Sequence, residues 1–218
     1  ELLPGAEAVI FDEAHQLPET ATHFFGHSLS GRQLTELARD TVVEQARDAA
    51  DFPELRNRAE ALAAIEPVLR ETLGMTERRA PWREVADQSA VREAVGQLTE
   101  ALNRLGEALK EAAQRGKGLE SCRRRVEDLR QRLAATTGEE RDPDTVRWFE
   151  VRGRGFTLSL TPLDIAPTFQ TRMETGPGAW IFTSATLAVG ESFEHFAARL
   201  GLRDYTALRL DSPFDFAR

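Results

Sequence analysis

Apolar residues recur through the middle of the chain in steps of four and three. Val91, Val95, Leu98, Leu102, Leu105, Leu109 and Ala112 keep that spacing, and after Gly116-Lys-Gly118 it resumes at Leu119, Cys122, Val126, Leu129 and Leu133. Two such stripes predict an antiparallel, coiled-coil-like helical hairpin that turns at the glycines. Cys122 lies on the seam, which makes it a core thiol rather than a reactive one. Leu55, Ala59, Leu62, Ile65, Leu69 and Leu73 form a further stripe, which Pro67 should kink or divide into two shorter helices. Ser30 is positioned to cap a first helix from about Arg32 to Ala50.

On either side the period changes. Val146 to Val151 and Phe156 to Leu160 alternate as strands do, around Arg152-Gly-Arg-Gly155, a hairpin turn. Ala179–Phe182 is expected to be a buried central strand, followed by a helix from about Ser192 to Leu200 and a last strand near Tyr205–Leu210. The chain therefore divides into three zones, 1–27, 28–145 and 146–218. Strands split by a long helical stretch predict an α/β fold carrying a large all-α insert.

Candidate chemistry sits at two strand ends. Ala8-Val-Ile-Phe-Asp-Glu-Ala-His15 is an apolar run ending in paired carboxylates, and the carboxyl end of a parallel strand opens onto the crevice where such sheets hold ligands. There Asp12 would hold the Mg²⁺ of a nucleoside triphosphate, through water, and Glu13 would polarise the water attacking the γ-phosphate. Ala179-Trp-Ile-Phe-Thr-Ser-Ala-Thr-Leu187 repeats the layout with hydroxyls in place of carboxylates. If the two strands are neighbours, hydroxyls such as those of Ser184 and Thr186 can bond the imidazole of His15 and couple nucleotide state to another surface. The alternative for Thr186 or Ser192 alone is a helix N-cap.

Two basic clusters are candidates for phosphate contact. Arg115, Lys117, Arg123, Arg124, Arg125, Arg130 and Arg132 surround the turn of the helical hairpin, and Arg152 and Arg154 lie on the glycine-flexed turn. A solvated helix face with ion pairs one turn apart explains the first cluster equally, and exposed turn residues the second. Of the tryptophans, Trp180 precedes a buried strand and reads as core, Trp82 follows Pro81 near a helix start that it could staple, and Trp148 is left open between core and base stacking.

At 218 residues and 41% hydrophobic, the chain has apolar material for one or two cores. Its one cysteine excludes an internal disulfide framework, and no apolar run nears the roughly 20 residues needed to cross a bilayer. No signal peptide is visible, so a soluble, cytoplasmic protein is expected. The net charge of −8 argues against broad nucleic-acid binding, but much of the excess lies in residues 1–27, which hold five acidic residues and no Lys or Arg. A cation beside Asp12 would offset part of it.

Val9-Ile-Phe-Asp-Glu-Ala-His-Gln-Leu-Pro-Glu19 resembles motif II, and Ile181-Phe-Thr-Ser-Ala-Thr-Leu187 resembles motif III, of superfamily two helicases. With the Gln16-Leu-Pro-Glu continuation, the closing Asp211-Ser-Pro-Phe-Asp-Phe216 and the helical insert, the chain is most similar to the bacterial DinG and YoaA DNA helicases, relatives of XPD. That resemblance implies a RecA-like, P-loop-NTPase-type first motor lobe in 1–27 and 146–218. It implies a helical arch domain in 28–145, lying beside the path of single-stranded DNA. It also implies ATP, Mg²⁺, 5′ to 3′ movement, and an iron–sulfur cluster. Here there is no Gly-x-x-x-x-Gly-Lys-Ser/Thr loop, and Cys122 alone cannot ligate a cluster. The chain is accordingly expected to be one piece of a longer helicase, inactive without the rest, whose partners are single-stranded DNA, the remainder of that helicase and a replication or repair protein. Two other functions compete: a non-catalytic helical docking module, and an ATPase of the same motif class acting on RNA.

Overall fold

The computed structural model describes residues 6–138, 142–176 and 178–210. Contacts divide the chain into two compact units, 1–25 with 163–218, and 26–162.

The larger unit is mostly helical. Strand β2 (His27–Ser30) leads into α2 (Gly31–Asp48), and Ser30 caps that helix as expected, with a reciprocal bond between the Gln33 side chain and the Ser30 backbone. Helix α3 (Pro53–Thr72) runs unbroken through Pro67, so the expected division does not occur. Pro67 is on the exposed face, where water can satisfy the carbonyl its ring leaves unbonded. Strand β3 (Arg78–Pro81) and a short turn holding Trp82 precede α4 (Ser89–Ala112), and a tight turn at Ala113–Arg115 leads to α5 (Lys117–Thr137). The predicted seam is present: Val91, Leu98, Leu102, Leu105 and Leu109 are buried with Leu119, Cys122, Val126, Leu129 and Leu133. Each fully buried leucine contributes about 1.5–3 kcal/mol.

The glycines at this turn act differently from expectation. Gly116 is extended, a conformation open to any residue, and Gly118 is already helical. A Cβ at Gly116 would overlap the Asp48 carboxylate, and one at Gly118 the Glu44 carboxylate. Both glycines therefore give clearance to α2 rather than bend the chain.

The strands β4 (Thr145–Arg152) and β5 (Gly155–Pro162) form the predicted hairpin, with Arg152 opposite Gly155 and Gly153 at φ +54° in the two-residue loop. They belong to the insert's unit, because β5 pairs with β2 and β4 with β3, giving the antiparallel order β2-β5-β4-β3. The compact unit thus extends to Pro162, past the expected limit of residue 145. One sheet face, carrying Leu29, Phe149, Val151 and Leu158, joins the helical core.

The smaller unit pairs β1 (Ala8–Phe11) with β6 (Ala179–Phe182) in parallel and in register. A short turn leads from β1 into α1 (Leu17–Phe25), and α6 (Ala166–Thr175) and α7 (Glu194–Leu200) complete the unit. Its core is aromatic: Phe11 stacks on Trp180 at 5.9 Å and on Phe182 at 5.7 Å, with Phe169 and Phe196 edge-on to β6 rings. The sequence led us to expect β6 to be buried and central, but Ile10 and Ile181 on the other face are 66% and 45% exposed. Among the described residues the two strands pair only with each other, so nothing covers that face. The strand expected at Tyr205–Leu210 is absent for the same reason, as no described strand offers it a ladder. Asp211–Phe216 lies outside the described residues.

The architecture is therefore mixed α/β with helices predominating.

Candidate active site

Parallel pairing brings the two chemical motifs together. Phe11 is in register with Phe182, so the residues that follow each emerge at the same end of the sheet. The ladder runs on past the strands: Thr183 N–H donates to the Phe11 carbonyl at 2.8 Å, and Ala14 N–H to the Thr183 carbonyl at 2.9 Å. These bonds fix the spacing of Asp12 and Glu13 against Thr183 and Ser184.

Glu13 has φ +50°, the left-handed region, and is the only non-glycine residue there among those described. Such a conformation is uncommon for an unbranched acidic side chain and costs on the order of 1 kcal/mol. It turns the chain sharply between β1 and the buried Ala14, leaving both carboxylates exposed.

Asp12 Oδ1 accepts from the Thr183 hydroxyl at 2.9 Å and from the Glu13 N–H at 3.0 Å. Its Oδ2 has no protein donor among the described residues. A carboxylate held by one oxygen, with the other open to solvent, is a hard ligand suited to a hydrated Mg²⁺. The described residues hold no group of three or more His, Cys, Asp or Glu side chains gathered as a metal site. Asp12 thus fits a metal that relies on water and phosphate for its other ligands. The glycine-rich loop that would cradle those phosphates is not in the sequence.

His15 Nδ1 lies 2.9 Å from Ser184 Oγ and 3.3 Å from Glu13 Oε2. Ser184 Oγ is within 3.3 Å of the same Glu13 oxygen and accepts from the Thr186 N–H at 3.2 Å. With the single Ser184 proton donated to Glu13, His15 Nδ1 must be the donor to Ser184. The result is a closed triangle of His15, Ser184 and Glu13. Thr186 reaches Ser184 at 3.4 Å and so supports the triangle rather than bonding His15 directly. Neither Thr186 nor Ser192 is an N-cap in the usual sense, since no helix follows Thr186 and α7 begins after Phe193, although Ser192 Oγ accepts from the Glu194 N–H at 3.2 Å.

Thr183 is the site residue that sequence reasoning missed. Its signal was its position, one residue past the end of β6, where a parallel register sets it against Asp12.

The basic cluster on α5 is engaged in ion pairs. Arg123 makes a two-pronged contact with Glu120 at 2.7 and 2.9 Å, Arg124 lies 3.5 Å from the same carboxylate, and Arg125 reaches across to Asp40 of α2 at 2.6 Å. Arg115 pairs with Asp51, Arg130 with Glu127 and Arg132 with Asp128. Arg124, 70% exposed, has the freest guanidinium of the three. Arg123 draws Glu120 below the usual carboxylate range, by hydrogen bonding first and by charge second. Cys122 is buried as expected, and burial pushes its thiol up, against the lowering influence of the neighbouring Thr41. Arg152 and Arg154 are exposed, with no ion pair among the described residues. Trp180 packs in the aromatic core as expected, while Trp82, expected to staple a helix start, is buried edge-on to Phe149 of β4.

Curated relatives match the chain from end to end. It is 40% identical over 217 residues to the ATP-dependent DNA helicase YoaA of Haemophilus influenzae, which covers 99% of this chain and 34% of that protein. Against the ATP-dependent DNA helicase YoaA of Escherichia coli it is 38% identical over 218 residues, 100% of the chain and 34% of that protein. A probable ATP-dependent helicase of Bacillus subtilis, YpvA, is 26% identical over 219 residues, 99% of the chain and 33% of that protein. The chain thus spans about a third of the length of the relatives it matches. No family model matches it. Among the described residues no helix is long and apolar enough to cross a membrane.

Proposed function

The chain is related along its whole length to the DinG/YoaA-like helicases, and we propose that it is the part of an ATP-dependent DNA helicase running from motif II through the arch to motif III. In this reading residues 1–25 and 163–218 contribute to a RecA-like first motor lobe, and 26–162 are the arch. The single observation that carries it is the junction of Asp12, Glu13 and His15 with Thr183 and Ser184 across β1 and β6.

Asp12, oriented by Thr183, would hold Mg²⁺ through water, and the ion when bound neutralises phosphate charge. Glu13 would polarise the attacking water, its carboxylate presented by the left-handed backbone and steadied by Ser184. Because the same carboxylate oxygen faces Ser184 and His15, a change of charge or position at Glu13 alters that triangle, which gives hydrolysis a mechanical outlet. The parent acts in the cytoplasm on single-stranded DNA, moves 5′ to 3′, takes its phosphate loop, second lobe and iron–sulfur cluster from segments other than this one, and docks a replication or repair protein. This chain alone does not hydrolyse ATP.

The test is Glu13→Gln in the intact parent. Nucleotide binding should be retained while hydrolysis falls by roughly two or more orders of magnitude. Unchanged turnover would overturn the assignment.

A further inference from the structure

The four-stranded sheet has a second face, opposite the one that joins the helical core. Its residues follow from register: Arg79 and Pro81 of β3, Trp148, Glu150 and Arg152 of β4, Thr157, Ser159 and Thr161 of β5, and Ser28 and Ser30 of β2. Apart from Trp148, Pro81 and the exposed Val146 opposite Thr161, this face is built of hydroxyls and charges, where the inner face is largely apolar. Such a composition suits a ligand that is itself polar and partly aromatic.

Toward its β3 edge the Arg79 guanidinium lies over the Trp148 ring, 3.8 Å from the centroid, while the indole N–H donates to the Thr161 hydroxyl at 2.9 Å. Both contacts lock the tryptophan in one orientation, and Arg79 is exposed above it. A guanidinium whose inner face rests on an indole offers its outer face as a flat, cationic stacking surface, as arginine planes do for unpaired bases. Charge favours the same occupant. Arg79, Arg152 and Arg154 stand on or beside this face, against Glu150 on the face and the Glu77 carboxylate at the hairpin tip. The hairpin tip bearing Arg152 and Arg154 is also anchored from behind, with Arg70 bonding the Gly153 carbonyl at 2.8 Å and Glu77 the Gly153 N–H at 2.9 Å. Two exposed cations thereby stand on an anchored turn, unlike most arginines of α5, which pair closely with neighbouring carboxylates.

We propose that this outward sheet face binds single-stranded DNA, with a base stacked on the Arg79–Trp148 pair and the phosphate backbone on Arg152 and Arg154. The site deepens the helicase reading, in that it locates the strand on a β-surface rather than on the helical hairpin.

The whole face lies within residues 26–162, so the 218-residue chain suffices for the test. A fluorescein-labelled oligothymidylate of about 15 nucleotides is titrated by anisotropy at several salt concentrations, with a duplex of the same length as control. The wild-type chain should bind the single strand more tightly than the duplex. Arg79→Lys, which keeps the charge but not the plane, should weaken binding on the order of tenfold at an unchanged salt slope. Arg152→Ser with Arg154→Ser should instead flatten the slope by about two phosphate charges. Arg124→Ser should leave both quantities unchanged. Thermal melts accompany each variant, and Arg79→Lys is chosen because it disturbs the fold least. Equal binding by wild type, Arg79→Lys and the double variant would overturn the sheet-face site, as would equal affinity for duplex or no binding by the wild type at low salt. None of these results touches the Glu13→Gln experiment, so the helicase reading can stand if the sheet-face site falls.

Discussion

His15 Nδ1 and Ser184 Oγ lie 2.9 Å apart although 169 residues separate them in the chain. Both also reach Glu13 Oε2, at 3.3 Å each. Removing either partner should therefore leave the Asp12 carboxylate untouched while cutting a side-chain link between the two strand ends. In the intact parent, His15→Ala and Ser184→Ala are expected to retain more ATPase than unwinding activity, by roughly tenfold or more in the ratio. Paired rate measurements on each variant check this. Equal loss of both activities would assign the two residues to structure or to chemistry alone.

The left-handed backbone at Glu13 sets function against stability. Asparagine tolerates that conformation well but cannot act as a base, so Glu13→Asn should abolish hydrolysis in the parent while leaving the smaller unit as stable or more so, by up to about 1 kcal/mol. The exposed bonds lost with the carboxylate are worth little. Chemical denaturation of the variant beside the wild type gives the comparison, and a clear loss of stability would show that Glu13 holds the turn together.

Arg124 and Arg125 are adjacent in sequence yet should behave differently. Arg125 ties α5 to Asp40 of α2, whereas Arg124 projects into solvent. Arg125→Ser is expected to cost up to about 1 kcal/mol and Arg124→Ser nothing measurable. Urea melts of the two single variants resolve the difference. Equal midpoints would mean that the Arg125–Asp40 pair contributes no net stability.

Burial pushes the Glu66 carboxyl up from its ordinary range, against the lowering influence of Arg70. The folded state then binds the proton more tightly than the unfolded one. This contribution is fully present below the unfolded value and is lost as pH rises through the raised one. Glu66→Gln should remove that dependence, so the variant gains on the wild type between about pH 4 and pH 7. Stability curves at the two pH values test it, and a constant difference between the proteins would refute it.

Much of this molecule could be read from its residues, and the failures share a physical cause. The hairpin seam, the Ser30 cap and the β4–β5 turn are local or strictly periodic, and each occurs where expected. The meeting of His15 with Ser184 was legible because parallel strands with similar endings place those endings together. Strands β2 and β3 were not, since His-Ser-Leu-Ser and Arg-Arg-Ala-Pro carry little β-pattern and owe their conformation to the hairpin between them. Helix α6 buries only Phe169, too little apolar periodicity to register. Leu208 and Leu210 suggested a strand, but strand formation needs a neighbour, and none of the described strands pairs with them. The charges on α5 could be counted, but their pairing with Asp40 or Glu120 depends on geometry.

The parallel pairing of Ala8–Phe11 with Ala179–Phe182 also imposes an order of events on the ribosome. At about 5–20 residues per second, the first strand emerges roughly 10–30 seconds before its partner exists. Residues 26–162 are contiguous and pair only among themselves in their sheet, so they can finish folding in that interval. With β2 and β5 adjacent and antiparallel, the finished unit returns its last residue beside its first, and a gap of well over a hundred residues becomes a short closure by the time β6 is translated.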